Sequence, residues 1–163
     1  MIRILFVCYG NICRSPMGEF ILKDLVRRQG MEDQFLIASA AVSAEETGNP
    51  VYPPARRKLQ EHGISCEGKR AVQMVKSDYA RYDYLLAAQE RNLSGMKRIA
   101  GGDPERKMFR LLDFSDRPRN IADPWYTGDF DTAYREIREG CESFLHYLKQ
   151  QGICGKKAAP DGQ

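Results

Sequence analysis

The 163-residue chain has little with which to hold a metal ion or cross a membrane. It contains two histidines, His62 and His146. Its five cysteines, Cys8, Cys13, Cys66, Cys141 and Cys154, include no Cys-x-x-Cys pair. That odd, scattered set excludes a disulfide framework and a thiolate zinc site, and agrees with a reducing compartment. No metal and no cofactor are expected. The longest apolar run, residues 4–8, is of strand length, far short of the roughly 20 residues of a membrane span. The first residues lack the basic, apolar and small-residue regions of a signal peptide, so a cytoplasmic protein with no membrane partner is expected. Charge of one sign is also scarce: the net charge is +3 with acids and bases interspersed, which gives no nucleic-acid surface. Repeats, linkers and low-complexity blocks are missing. The basic pairs Arg27-Arg28 and Arg56-Arg57 read as solvated helix faces.

What is present is an alternation of strand and helix patterns in a length that suits one domain. Residues 2–7 (IRILFV) form a short apolar run rich in branched side chains, a buried strand. A helix over 16–29 carries Met17, Ile21 and Leu25 on one face. Strands are expected at 35–40, 82–88 and 107–112. Helices are expected at 55–62 and 90–99, with a turn-rich loop over 113–129. Tyr134, Ile137, Cys141, Phe144, Leu145 and Leu148 make the apolar stripe of a last helix. The sum is an α/β fold in three layers: a four-stranded parallel sheet with helices on both faces. A single domain over 1–151 and a flexible tail over 152–163 are expected.

Ligands of such sheets sit beyond the carboxyl ends of the strands. The segment there reads Cys8-Tyr9-Gly10-Asn11-Ile12-Cys13-Arg14-Ser15-Pro16. A cysteine six positions before an arginine means little in a chain with five cysteines and 16 arginines. Its placement between a strand end and a helix start carries the weight. Ser15 and Pro16 suit an N-cap followed by the first helical position. Gly10 and Asn11 tolerate positive φ. A loop of this kind aims backbone N–H groups at one centre beside the positive end of a helix, which makes an anion site. Arg14 adds a bidentate clamp on phosphate oxygens, and the field favours the thiolate of Cys8. That thiolate can attack phosphorus and form a phosphocysteine, with the Ser15 hydroxyl assisting its departure.

Cleavage of a phosphate ester also needs a proton for the leaving oxygen. Asp123, in Asp123-Pro124-Trp125-Tyr126, is the candidate: Pro124 stiffens its backbone and two aromatics stand beside it. Asp113, Asp116 and Asp129 compete in the same loop.

Taken together, these motifs resemble the low-molecular-weight protein tyrosine phosphatases over residues 2–148. VCYGNICRSP matches the family's nucleophile loop, DPWY its acid loop, residues 39–50 a second active-site segment, and YDYLL at 82–86 a core strand. The resemblance implies hydrolysis of phosphotyrosine in protein substrates, with inorganic phosphate as product. It implies Cys8 as nucleophile, Arg14 as phosphate ligand and Asp123 as acid then base. Tyr9, Gly10, Asn11, Ile12, Cys13 and Ser15 would form and support the loop. Trp125, Tyr126 and Glu45 would wall the substrate, and a reversible Cys8–Cys13 disulfide would protect the nucleophile. Three positions depart from the pattern: Glu45 replaces an aromatic wall, Lys69 a loop-supporting histidine, and Gln89 an aspartate. Protein arginine phosphatase and small-molecule acid phosphatase are the alternatives; the former tend to carry threonine where Ile12 stands. An arsenate reductase would need a resolving cysteine pair in the middle of the chain, which is missing. A silent phosphate-binding module would have lost Cys8, Arg14 or the acid.

Overall fold

Why the first strand lies at the centre follows from its two faces. The computed structural model describes residues 1–155, and β1 (Ile2–Cys8) alternates Ile4, Phe6 and Cys8 on one side with Leu5 and Val7 on the other, all buried. Among the described residues four parallel strands pair in the order β2-β1-β3-β4: β2 (Phe35–Ala41) and β3 (Tyr84–Ala87) flank β1, and β4 (Met108–Arg110) pairs with the far side of β3. Both faces of β1 therefore need a covering layer.

On the Phe6 face pack α1 (Arg14–Arg28), α2 (Pro53–Glu61) and, along its whole predicted stripe, α6 (Phe130–Gln150). On the Leu5 face pack α3 (Asp78–Arg81) and α4 (Glu90–Ala100), through Tyr79, Leu93 and Met96. The three-layer expectation holds. Gly18 of α1 lies flush on the sheet: a Cβ there would meet the Phe6 ring at 2.5 Å. Each fully buried Leu or Ile of these layers contributes roughly 1.5–3 kcal/mol.

Several boundaries differ from the sequence reading, each for a physical reason. Helix α1 opens at Arg14 rather than Pro16, with Cys13 as the N-cap. Ser15 does not cap, because its hydroxyl is taken by the loop before it. Pro16 falls within the first turn, where no intrahelical donor is required. Strand β3 starts late because the Asp83 carboxylate turns back to accept from the Arg3 N–H at 2.8 Å. Helix α3 is an unpredicted single turn, with Asp78 accepting from the Val75 N–H. Strand β4 stops at Arg110. The next residues, Leu111–Phe114, form a 3-10 turn closed by Asp113, which accepts from the Arg110 N–H and Nε at 2.9 Å each. The 113–129 loop also contains a short helix, α5 (Pro124–Thr127).

Past α6 the chain folds back, with Gln34 Nε2 donating to the Gly155 carbonyl at 3.0 Å. Of the tail expected over 152–163, residues 156–163 lie outside the described residues. No helix of the described residues is long and apolar enough to cross a membrane, and among them no cluster of three or more His, Cys, Asp or Glu side chains could hold a metal.

Candidate active site

The carboxyl end of β1 delivers Cys8 to the floor of a cleft of about 330 Å³. Around the thiol the chain turns sharply. Asn11 takes φ 59°, the left-handed region that asparagine tolerates. Gly10 does not have positive φ, contrary to expectation. Its lack of a side chain serves space instead, since a Cβ there would stand 3.3 Å from Glu46 Cγ.

Three donors address the sulfur. The N–H groups of Asn11 and Ser15 approach Cys8 Sγ at 3.3 and 3.4 Å, and Ser15 Oγ lies at 3.0 Å. Asn11 Nδ2 donates to Ser15 Oγ at 2.8 Å, which leaves the Ser15 proton free for sulfur. Among the described residues the N–H groups of Gly10, Ile12, Cys13 and Arg14 have no protein acceptor, as in a loop built for an anion.

Asn11 is itself anchored from below. Its Nδ2 also donates to Ser39 Oγ at 3.0 Å, and its Oδ1 accepts from the Val72 N–H at 3.0 Å. Ser39 Oγ donates to Glu19 Oε1 at 2.6 Å, and Lys69 Nζ donates to the Ser39 carbonyl at 2.9 Å while lying 3.7 Å from Glu19. Burial pushes the Lys69 amine below its ordinary range, partly offset by the Glu19 charge. Lys69, one of the three departures, thus holds the segment beneath the loop.

Arg14 is 3% exposed and reaches up the cleft wall. Its Nη1 donates to Gln89 Oε1 and to the Ile121 carbonyl, both at 2.8 Å. Its Nη2 lies 3.3 Å from Asp123 Oδ2, and Nε is buried without a partner. One edge of the guanidinium is anchored; the other, Nε with Nη2, is the two-pronged edge that fits two oxygens of a phosphoryl group.

Asp123 caps α5, its Oδ1 accepting from the Trp125 N–H at 3.0 Å. It is the acid of the 113–129 loop that lines the cleft. Asp113 is bound to Arg110, and Asp116 is exposed. Asp129 caps α6, where bonds from the Thr132 hydroxyl and N–H hold its carboxyl below the usual range.

The rim consists of Tyr9, Glu45, Glu46, Trp125 and Tyr126. Trp125 packs on Tyr52 at a ring separation of 4.8 Å. Ile12 and Cys13 line the cleft and pack on Ala71. Burial, reinforced by the neighbouring Cys8 and Asp123, pushes the Cys13 thiol well above the usual thiol range. Every expected site residue therefore lies at this cleft or directly beneath it. The sequence reading gave Tyr52 and Glu19 no role and took in Ser39 and Glu46 only as part of the 39–50 segment; Glu19 left a faint signal, an acid four residues after Ser15 on the inner face of α1. A second hollow, between Phe20, Lys23, Phe35 and Ile64, is lined by no cysteine.

A known family combines these features. The model of the low molecular weight phosphotyrosine protein phosphatases matches residues 3–153. The chain belongs to that family. The chain is 35% identical to the low molecular weight protein-tyrosine-phosphatase YfkJ of Bacillus subtilis over 153 residues, 93% of this chain and 98% of that one. It is 36% identical to the low molecular weight phosphotyrosine protein phosphatase of Sus scrofa over 151 residues, 90% of this chain and 95% of that one. The crystal structure of YfkJ superposes with a TM-score of 0.89 over 93% of this chain and 96% of that one, at 36% identity. That of DARP, a Drosophila arginine phosphatase, superposes at 0.84 over 91% and 98%, at 31% identity.

Proposed function

We propose that this chain hydrolyses phosphotyrosine in proteins, as a single domain over residues 1–151, through a phosphocysteine on Cys8. The observation that carries the reading is the convergence on one cleft of a thiol held by three donors, a guanidinium whose Nε has no protein partner, and a carboxylate 3.3 Å from its Nη2. A phosphoryl dianion lies on the loop N–H groups and the Nε–Nη2 edge of Arg14. The Cys8 thiolate attacks phosphorus, the ester P–O bond breaks, and protonated Asp123 gives its proton to the leaving oxygen. Asp123, now a carboxylate, takes a proton from water as the water attacks phosphorus. The S–P bond breaks, inorganic phosphate leaves, and the thiolate returns to its three donors.

The exposed rings of Trp125 and Tyr126 suit an aryl substrate long enough to reach the floor. A second reading, phosphoarginine hydrolysis, is favoured by the acidic rim of Glu45, Glu46 and Asp123, which would attract a cationic leaving group. Ile12, with no hydroxyl to offer a guanidino group, supports tyrosine instead. Cys13 beside Cys8 on one cleft supports a protective disulfide between them, and a cytoplasmic setting agrees with the unbridged thiols.

The test is a panel of phosphotyrosine peptide, phosphoserine peptide and phosphoarginine protein, run with the wild type and Cys8→Ser. Phosphotyrosine should be turned over fastest, and Cys8→Ser should lose at least about 10⁴-fold in turnover while still binding phosphate. Retained turnover by Cys8→Ser would remove the covalent route, and faster cleavage of phosphoarginine would select the second reading.

A further inference from the structure

Arg14 is buried, yet the acceptors on its anchored edge are neutral: the Gln89 amide oxygen and the Ile121 carbonyl. Among the described residues Asp123 is the only carboxylate within ion-pair distance. In the step proposed above Asp123 donates a proton, and in that form it cancels none of the guanidinium charge. A buried charge with no permanent counter-ion costs stability and is kept only where a ligand completes it.

The position of Gln89 sharpens the point. It is the N-cap of α4, where aspartate, asparagine and serine are the favoured residues and the positive helix end welcomes a carboxylate. Capping here is supported by Asn92, whose Oδ1 accepts from the Gln89 N–H at 3.2 Å. Gln89 and Asn92 form the capping box of α4, a role that a shorter polar side chain would also fill. The contact with Arg14 is what the longer, neutral side chain adds.

We propose that Gln89 is a positioning residue that fixes the Arg14 guanidinium without neutralising it, reserving the full charge for a phosphoryl dianion. This rests on the reading of Arg14 as the phosphate ligand. A glutamate in the same place would keep the hydrogen bond and the shape but add a permanent counter-ion on the far edge. It would weaken every dianion that binds, the product phosphate included. Charge and shape thus rank variants in opposite order. By shape Gln89→Glu is the mildest change and Gln89→Ala the harshest; by charge the reverse holds.

The experiment is calorimetric titration of inorganic phosphate into wild type, Gln89→Glu and Gln89→Ala, with the phosphate inhibition constant read in parallel from aryl phosphate turnover. Gln89→Glu should weaken phosphate binding at least about tenfold, and Gln89→Ala by less than about threefold. Unchanged phosphate binding in Gln89→Glu, or a larger loss in Gln89→Ala, overturns the proposal and leaves the functional reading intact. A wild type that binds no phosphate overturns both.

Discussion

The two halves of the cleft are built in opposite ways. The nucleophile loop is enclosed: Asn11 and Arg14 are 1% and 3% exposed, and nearly every polar side-chain atom in it has a partner inside the protein. The acid loop lies on the surface, with Trp125 and Tyr126 51% and 82% exposed. Its anchors lie at its start and behind it: Asn120, whose Oδ1 accepts from the Glu90 N–H, buried Ile121, bonded to the Ala88 carbonyl and to Arg14, the Asp123–Arg14 pair, and the Tyr52–Trp125 ring contact. A thiolate and a phosphate need donors fixed before the substrate arrives, because reorganising them in the transition state is costly. An acid that first gives and then takes a proton, beside a substrate that must enter and leave, works from a looser segment. Rigidity is thus concentrated where charge develops.

This contrast can be broken at three places. The largest effect on turnover is expected from Asp123→Ala, a loss of about 10²–10⁴-fold with poor leaving groups, shrinking as the leaving group improves. Equal losses across a leaving-group series would remove Asp123 from the proton transfer. Next is Asn11→Ala, which takes one side chain from three partners and puts alanine at φ 59°. Urea unfolding should show a loss of about 2–4 kcal/mol, and turnover should fall with it. A variant that lost activity at full stability would mean that the loop is less tied to the core than its bonds indicate. Smallest is Trp125→Ala: steady-state kinetics should give a KM for aryl phosphates raised by about three- to tenfold, with stability within about 0.5 kcal/mol. A comparable loss of stability would place the acid loop in the core after all.

Much of this was legible before any coordinates, and the reason differs between the halves. Residues 2–7 announce a buried strand and the α6 stripe announces its own packing, so the layers follow from period and composition. The nucleophile loop was legible because its residues lie within eight positions of one another. What stayed hidden was contact across long separations. Ile121 against Arg14 and Tyr52 behind Trp125 leave no local pattern, and the contact of Ser39 and Glu19 beneath Asn11 leaves only a faint one, because tertiary packing brings them together. The Ser15 cap was misassigned for the same reason: serine before proline fits a helix start, but its hydroxyl had a stronger claim on it from Cys8. Single-turn α3 and α5 were too short for periodicity to register.

The close seat of Gly18 on Phe6 has a consequence for how the molecule responds to heat. Arg14, Ser15, Gly18 and Glu19 all ride on the first turns of α1, and that helix has no slack against the sheet. The helix cannot slide or lift by part of an ångström without colliding with the central strand or opening the innermost packing. The surroundings of the thiol therefore have no separate melting step of their own. They should persist until the domain gives way as a whole, so that on heating the nucleophile loop is lost with the fold.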